Sequence, residues 1–242
     1  MDNIWTTMER RCSRRSFTVR PIAETQVKVL EEKIANYNAE AGLHMQLVLN
    51  DPDVFKGFRV TYGMFRGVRN YIALVGNKDD ADRMEKEGYY GEKLVLLATE
   101  MGLSTCWIGT SYDKTKCTCS VADDEELDLV IAIGYGEEKQ GFKENMMKNM
   151  LARGAKAMDA LMEVTGEQPE WFSEGMRAVM MAPTARNSRP FVFSCHNAVV
   201  SVRANGSAER VMVDIGIVKL HFELGAGGGK WSWGDKQTFQ KT

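Results

Sequence analysis

Near the start of the chain, Arg14-Arg15-Ser16 sets two guanidinium groups beside a hydroxyl. Planar, permanently charged guanidinium forks suit a dianionic phosphate, and the serine adds a third donor. Far along the chain, Pro183-Thr184-Ala185-Arg186-Asn187 combines a stiffening proline, a hydroxyl, and an amide that both donates and accepts hydrogen bonds. Such a segment can read the polar edge of a flat ring. Between the two lies Gly102-Leu103-Ser104-Thr105-Cys106-Trp107-Ile108-Gly109-Thr110, where the missing side chain of Gly109 lets backbone approach a ligand closely.

Each group also has a plainer reading. Arg10, Arg11, Arg14 and Arg15 can be a solvated basic N-terminus, and Gly109 a strand-ending turn. Trp107, Trp231 and Trp233 are expected in the core, and His221 is expected to be packed rather than catalytic. Cys117-Thr118-Cys119 suggests a metal or redox pair, but the other histidines are only His44 and His196 and no matching ligand cluster is nearby, so metal binding is not expected. Five scattered cysteines, an odd number, suit a reducing compartment better than a disulfide framework.

The elements that must position these groups can be read from periodicity. Residues 21–41 predict a helix, with Ile22, Val27, Leu30 and Ile34 at helical intervals, and 45–49 a strand. Tyr71-Ile72-Ala73-Leu74-Val75 predicts a buried strand ending at Gly76, followed by a polar helix through Met84 and Glu87. Leu94, Leu97, Ala98 and Met101 predict a helix over 89–101 capped by Gly102. Strands are expected at 105–108 and 127–133, which makes the first half mixed α and β.

A methionine stripe, from Met146 to Met162, predicts a helix over 143–164, broken by Gly166 and Pro169. Beyond it we expect a helix over 171–181, a strand over 191–195, a hairpin at Gly206 joining 199–202 to 210–213, and a helix from Asp214. The last helix resembles in position the one over 91–102, which suggests a degenerate internal repeat.

Bulk properties narrow the partners. A net charge of −2 over 242 residues offers no broad basic field, so no nucleic-acid partner is expected and any anion site should be local. No apolar run is long enough for a membrane helix, and the first residues lack the build of a signal peptide, so a cytoplasmic location is expected.

Taken in order, several blocks match one family: Arg14-Arg15-Ser16 with Arg20-Pro21-Ile22, Tyr62-Gly63-Met64-Phe65-Arg66-Gly67, residues 88–92, Gly102 to Gly109, Ile133-Gly134-Tyr135, Pro169-Glu170-Trp171-Phe172, Ala182 to Phe191, and Asp214 to Gly227. The chain resembles the flavin-dependent nitroreductases, in particular the single-chain TM nitroreductase branch. The resemblance implies an α+β nitroreductase-like fold with two lobes, each a mainly antiparallel sheet with flanking helices. The lobes are expected at 1–140 and 169–242, joined by a helical connector at 141–168. It further implies one FMN per chain and a monomer that mimics the family homodimer.

By the same resemblance, Arg14, Arg15 and Ser16 hold the FMN phosphate. Arg66, Trp107, Ile108, Gly109, Pro183, Thr184, Ala185 and Asn187 surround the ring, with the Gly109 amide aimed at flavin N5 as the catalytic group. NADH or NADPH is the implied electron donor and a small planar nitroaromatic or quinone the acceptor, in a ping-pong reaction. The rival reading is a flavin-binding or flavin-storage protein without catalysis. Two departures from the family pattern stand out: Thr18 replaces a basic residue two positions after the serine, and Arg189 stands where a neutral amide is common.

Overall fold

The computed structural model describes residues 3–57, 64–138, 156–206 and 210–242. They fall into two compact units, one from residues 10–83 and 94–148, the other from residues 2–9, 84–93 and 149–242. The expected α+β architecture, with a sheet and helices in each half, is what is found. Among the described residues no helix is long and apolar enough to cross a membrane.

The first unit is built on an antiparallel four-stranded sheet in the order β1 (Gln46–Val48), β2 (Tyr71–Asn77), β4 (Glu125–Gly134), β3 (Ser104–Ile108). The apolar runs predicted as strands are the two central ones. Tyr71 to Gly76 and Leu127 to Gly134 are buried without a break, as expected of strands covered on both faces. Pairing runs from Tyr71↔Ala132 to Asn77↔Glu125, with an irregularity between Leu74 and Val75, and Ser104↔Gly134 sets the register of β3.

Phe17, Phe55, Val68, Ile108 and Val130 belong to one buried cluster. Helix α2 (Glu24–Ala41) buries Leu30 and Ile34, the spacing read from sequence. Helix α3 (Arg83–Glu100) is one continuous helix where sequence suggested a polar segment and then a second helix. After it, Leu103 N–H bonds to the Ala98 carbonyl and Gly102 N–H to that of Thr99, so Gly102 supplies the expected cap.

The second unit holds a five-stranded sheet in the order β5 (Met162–Thr165), β6 (Phe191–His196), β7 (Val199–Ala204), β9 (Thr238–Gln240), β8 (Lys230–Trp231). Only β5 and β6 run parallel. The helices of this unit are α1 (Ile4–Arg10), α4 (Glu170–Val179) and α5 (Val211–Gly225), together with residues 84–93 of α3. Phe193 stacks on Phe222 at 5.1 Å, and Phe222 in turn meets Trp231 and Phe239 edge-on.

Two glycines allow close packing inside this unit. A Cβ on Gly216 of α5 would lie 1.9 Å from the Glu85 carbonyl, and one on Gly88 would lie 2.1 Å from that of Val213. Only glycine permits backbones this close. Buried polar pairs accompany the contact. Lys219 is paired with Glu85, both fully buried, and donates to the carbonyls of Ser232 (2.9 Å) and Gly234 (3.1 Å). His221, packed as expected, has the Ala178 carbonyl 3.2 Å from Nδ1 and the Glu92 carboxylate 3.0 Å from Nε2.

Two expectations fail here. The hairpin is not at Gly206. β7 pairs with β6 around Asn197 and Ala198, both left-handed at φ 46° and 65°, the geometry a tight two-residue turn demands. Residues 211–213 open α5 instead of forming a strand, because Val211 and Val213 bury there at the head of a helix buried along most of its length. The helix expected over 143–164 also ends differently. Residues 139–155 lie outside the described residues, Met158–Leu161 is a short 3-10 turn, and Met162–Thr165 is an edge strand.

Candidate functional site

In the first unit, residues 13–17 form no long strand but are held on three sides by single bridges. Ser13 pairs with Thr105 of β3, Ser16 with Arg66, and Phe17 with Gly136. Arg14 N–H donates to the Thr105 carbonyl and Arg66 N–H to that of Arg15, both at 2.9 Å. The topology therefore brings Arg14, Arg15, Ser16 and Arg66 to one place beside β3, although 50 residues separate Ser16 from Arg66 in the sequence.

Gly67 makes that bridge possible. Its φ is +70°, and a Cβ there would sit 2.1 Å from the Phe17 carbonyl, so the Arg66-Gly67 pair of the sequence motif is a backbone requirement. Of the Tyr62 to Gly67 block, Tyr62 and Gly63 lie outside the described residues.

Glu137 is the residue that sequence reasoning missed. Its carboxylate pairs with the exposed Arg66 guanidinium, and its backbone carbonyl accepts from the Arg14 guanidinium. Gly136 leaves room for this arrangement, since a Cβ there would approach Ser104 Oγ at 2.6 Å and Arg14 Nη1 at 3.1 Å. The signal was the Gly134-Tyr135-Gly136-Glu137 run after a buried strand, a place where loops carry function.

At the end of β3, Ile108 is buried in the core, so only its backbone can serve a ligand. Trp107 is half-buried, and Gly109 is half-exposed directly after the strand. Thr18 N–H bonds to the Tyr135 carbonyl, and the Thr18 hydroxyl accepts from Arg20 N–H at 3.4 Å. Arg20 lies over the Tyr135 ring at 4.1 Å, a cation–π contact that occupies it.

In the second unit, Pro183 to Pro190 forms a tight turn with a short 3-10 segment, Ala185–Asn187. Arg186, Asn187 and Arg189 all adopt positive φ, at 52°, 54° and 47°. For residues other than glycine this conformation costs about 1–2 kcal/mol each, and such strain gathers at functional sites.

Local bonds hold the turn. Asn187 N–H donates to the Thr184 carbonyl at 2.9 Å, and Arg189 N–H to the Thr184 hydroxyl at 3.2 Å. Asp214, the fourth residue of α5, accepts Ala185 N–H at 3.0 Å. Burial pushes the Asp214 carboxyl up to about 7. Sequence reading noticed Asp214 only as a helix start.

The Arg189 departure is resolved by its partners. Its guanidinium donates to the carbonyls of Lys156 and Met180, so it locks the turn to its own unit, and burial pulls its pKa down. None of the residues predicted for the site lines the cavity of about 310 Å³ in the first unit, whose walls include Lys114, Cys117 and Cys119.

The family model described as "Putative TM nitroreductase" matches residues 3–226. Among solved structures, a Thermotoga maritima protein described as a putative nitroreductase is 20% identical, with 98% of this chain and 92% of that chain covered and a TM-score of 0.66. A Clostridium difficile FMN-dependent nitroreductase is 17% identical over 58% of this chain and 92% of its own, with a TM-score of 0.45. A Bacteroides fragilis nitroreductase with bound FMN is 16% identical over 60% of this chain and 94% of its own, at 0.46. No curated protein matches the chain.

Proposed function

Because the chain belongs to the Putative TM nitroreductase family, we propose that it is an FMN-dependent oxidoreductase that draws electrons from NADH or NADPH and reduces a small planar acceptor, such as a nitroaromatic or a quinone. The observation that carries this reading is the clustering of Arg14, Arg15, Ser16 and Arg66 beside β3 through single backbone bridges.

The donor set suits FMN. Two half-buried arginines and the buried Ser16 lie on consecutive residues whose backbone is bonded on both sides, so the loop that carries them needs little further ordering to bind. Gly136 supports the fit, since any side chain there would displace the Arg14 head. These residues would hold the phosphate. Arg66, poised by Glu137, would bring a cation to the site, and the Gly109 amide would donate a hydrogen bond at flavin N5.

Bound FMN would supply the two-electron chemistry, passing electrons from nicotinamide to acceptor in separate half-reactions. The chain's own work is to bind, orient and polarise. Pro183, Thr184, Ala185 and Asn187 are assigned to the ring, with Trp107 and the Ile108 backbone beside it. Thr184, Asp214 and Arg189 hold the backbone of the strained turn that carries Asn187.

The test is anaerobic. Protein reconstituted with FMN should hold a yellow chromophore through gel filtration, and addition of NADH or NADPH should bleach it within seconds. Retained flavin that stays oxidised for an hour with both nucleotides would leave a flavin-binding protein and remove the enzyme.

A further inference from the structure

Cys117 and Cys119 take no part in the reading above. They follow the 3-10 turn Lys114–Lys116 of the first unit, half-buried and reduced, and the Cys117 thiol donates to the Asp113 carbonyl at 3.8 Å. The residue between them is pinned. Thr118 donates its N–H to Asp51 at 3.3 Å and to Tyr71 Oη at 3.2 Å, and its hydroxyl donates to Asp51 at 3.0 Å. Just beyond, Gln46 clamps Ser120 from both sides, accepting its N–H at 2.8 Å and donating to its carbonyl at 2.6 Å. Two residues apart on a chain pinned between them, both cysteines pack against the edge of the buried cluster and line one cavity.

That cavity, of about 310 Å³, is open. Both residues line it together with Lys78, Lys114, Glu125 and Glu126. His44 stands close by, its Nδ1 2.9 Å from the Glu125 carboxylate. Among the described residues no cluster of three or more metal-ligating groups exists, so the pair lacks the further ligands that a tetrahedral metal centre needs. What remains is two reduced thiols, two residues apart, on one solvent-open cavity.

We propose that Cys117 and Cys119 are a redox-active dithiol, which a small aliphatic disulfide oxidises to an intramolecular Cys117–Cys119 disulfide. The division of labour follows from the environment. Its neighbour Cys117 pulls the Cys119 thiol down to about 7, and the positive field of His44 helps, against burial and Asp51. The same neighbour and burial push Cys117 up, and its thiol hydrogen is directed to the Asp113 carbonyl at 3.8 Å. Cys119 is thus the attacking thiolate and Cys117 the resolving thiol.

In the first step the Cys119 thiolate attacks one sulfur of the small disulfide. A new S–S bond forms, the old one breaks, and one thiolate leaves. In the second step Cys117 gives its proton to solvent or to that thiolate and attacks the Cys119 sulfur. The mixed disulfide breaks and the second thiolate leaves. Two protein thiols are oxidised, one disulfide is reduced to two thiols, and no further electron acceptor is needed.

The test uses the reduced full-length chain and bis(2-hydroxyethyl) disulfide, followed by alkylation under denaturing conditions and peptide mapping by mass spectrometry. The peptide carrying Cys117 and Cys119 should lose two hydrogens and escape alkylation, while the buried Cys106 and Cys195 remain alkylatable. Cys117→Ser should accumulate the mixed disulfide on Cys119, and Cys119→Ser should react about tenfold more slowly or less. Free thiols at both positions, two separate adducts, or a Cys119→Ser variant as fast as the parent would overturn the proposal. If either variant fails to fold, the peptide map of the unsubstituted protein decides.

Discussion

The carboxylate of Asp214 accepts the backbone N–H of Ala185 at 3.0 Å, tying the head of a buried helix to a strained turn 29 residues earlier. An acid buried to 5% exposure, with the Ala185 N–H as its one donor among the described residues, gains little from ionising, which is why its pKa rises to about 7.

A pH dependence follows. The folded protein keeps a proton on Asp214 that the unfolded chain, at an ordinary carboxylate pKa near 3.9, has already released. Its stabilising contribution is therefore complete below about pH 4 and is lost as pH rises through about 7. Asp214→Asn keeps an acceptor for Ala185 and cannot ionise. Its stability relative to the parent should rise by roughly 2–4 kcal/mol between pH 4 and pH 8, read from urea unfolding at both values. An unchanged difference would mean that folding does not raise the Asp214 pKa.

The residues proposed to bind flavin are tested one at a time by titration. Arg14→Ala should weaken FMN binding by about 1.5–3 kcal/mol, roughly tenfold to a hundredfold, through loss of a charge-assisted bond. At position 187 alanine would add strain, because φ is +54°, whereas Asn187→Gly removes the amide and tolerates the backbone. That variant should also release flavin more readily. A loss with Arg14→Ala and none with Asn187→Gly would exclude the turn from the site.

Close packing of backbones gives a stability prediction of a different kind. Gly216→Ala puts a methyl 1.9 Å from the Glu85 carbonyl, so α5 must shift, at a cost of about 1–3 kcal/mol or more. Gly227 has nothing within 4 Å of its missing Cβ, only a φ of +76°. Gly227→Ala should cost about 1–2 kcal/mol, from backbone strain alone. Thermal melts of the two variants should separate them.

Breaking the buried pair should be costly in one direction and recoverable in the other. Lys219→Met strands the Glu85 charge in a fully buried position and should cost about 3–5 kcal/mol. Adding Glu85→Gln neutralises that charge while keeping an acceptor for Gly234 N–H, which Glu85 holds at 2.7 Å. The double variant should recover part of the loss in chemical unfolding. A double variant no more stable than Lys219→Met would place the cost in lost packing of the lysine stem.

Elements were legible where local pattern and burial agree. Tyr71 to Val75 and Leu129 to Ile133 are uniformly apolar because both faces of those strands are covered, and such a run has few other places to go; the buried Asp128 just before the second run is paired with Arg83. Leu30 and Ile34 similarly announced the buried face of α2. Elements were misread where the pattern allowed two partners. Val211 and Val213 alternate like a strand, and β-branched residues favour one. They are helical because the unit buries them at the head of α5, whose backbone meets that of residues 85–89 through Gly216.

The sequence alone determined the chemical vocabulary of this protein: two arginines and a serine, a glycine after a strand, an asparagine in a proline-led turn, and the central strands and helices that carry them. Those follow from side-chain chemistry and from periodicities spanning a few residues. Only the tertiary structure decided that Glu137 answers Arg66 and Arg14, that Asp214 anchors Ala185, and that Arg189 is spent on backbone carbonyls. The same holds for Cys117 and Cys119, which line one cavity of the first unit. The reason is physical. An ion pair or a buried acceptor takes its energy from how far its surroundings exclude water, and that is set by chain segments tens of residues away, which no local pattern encodes.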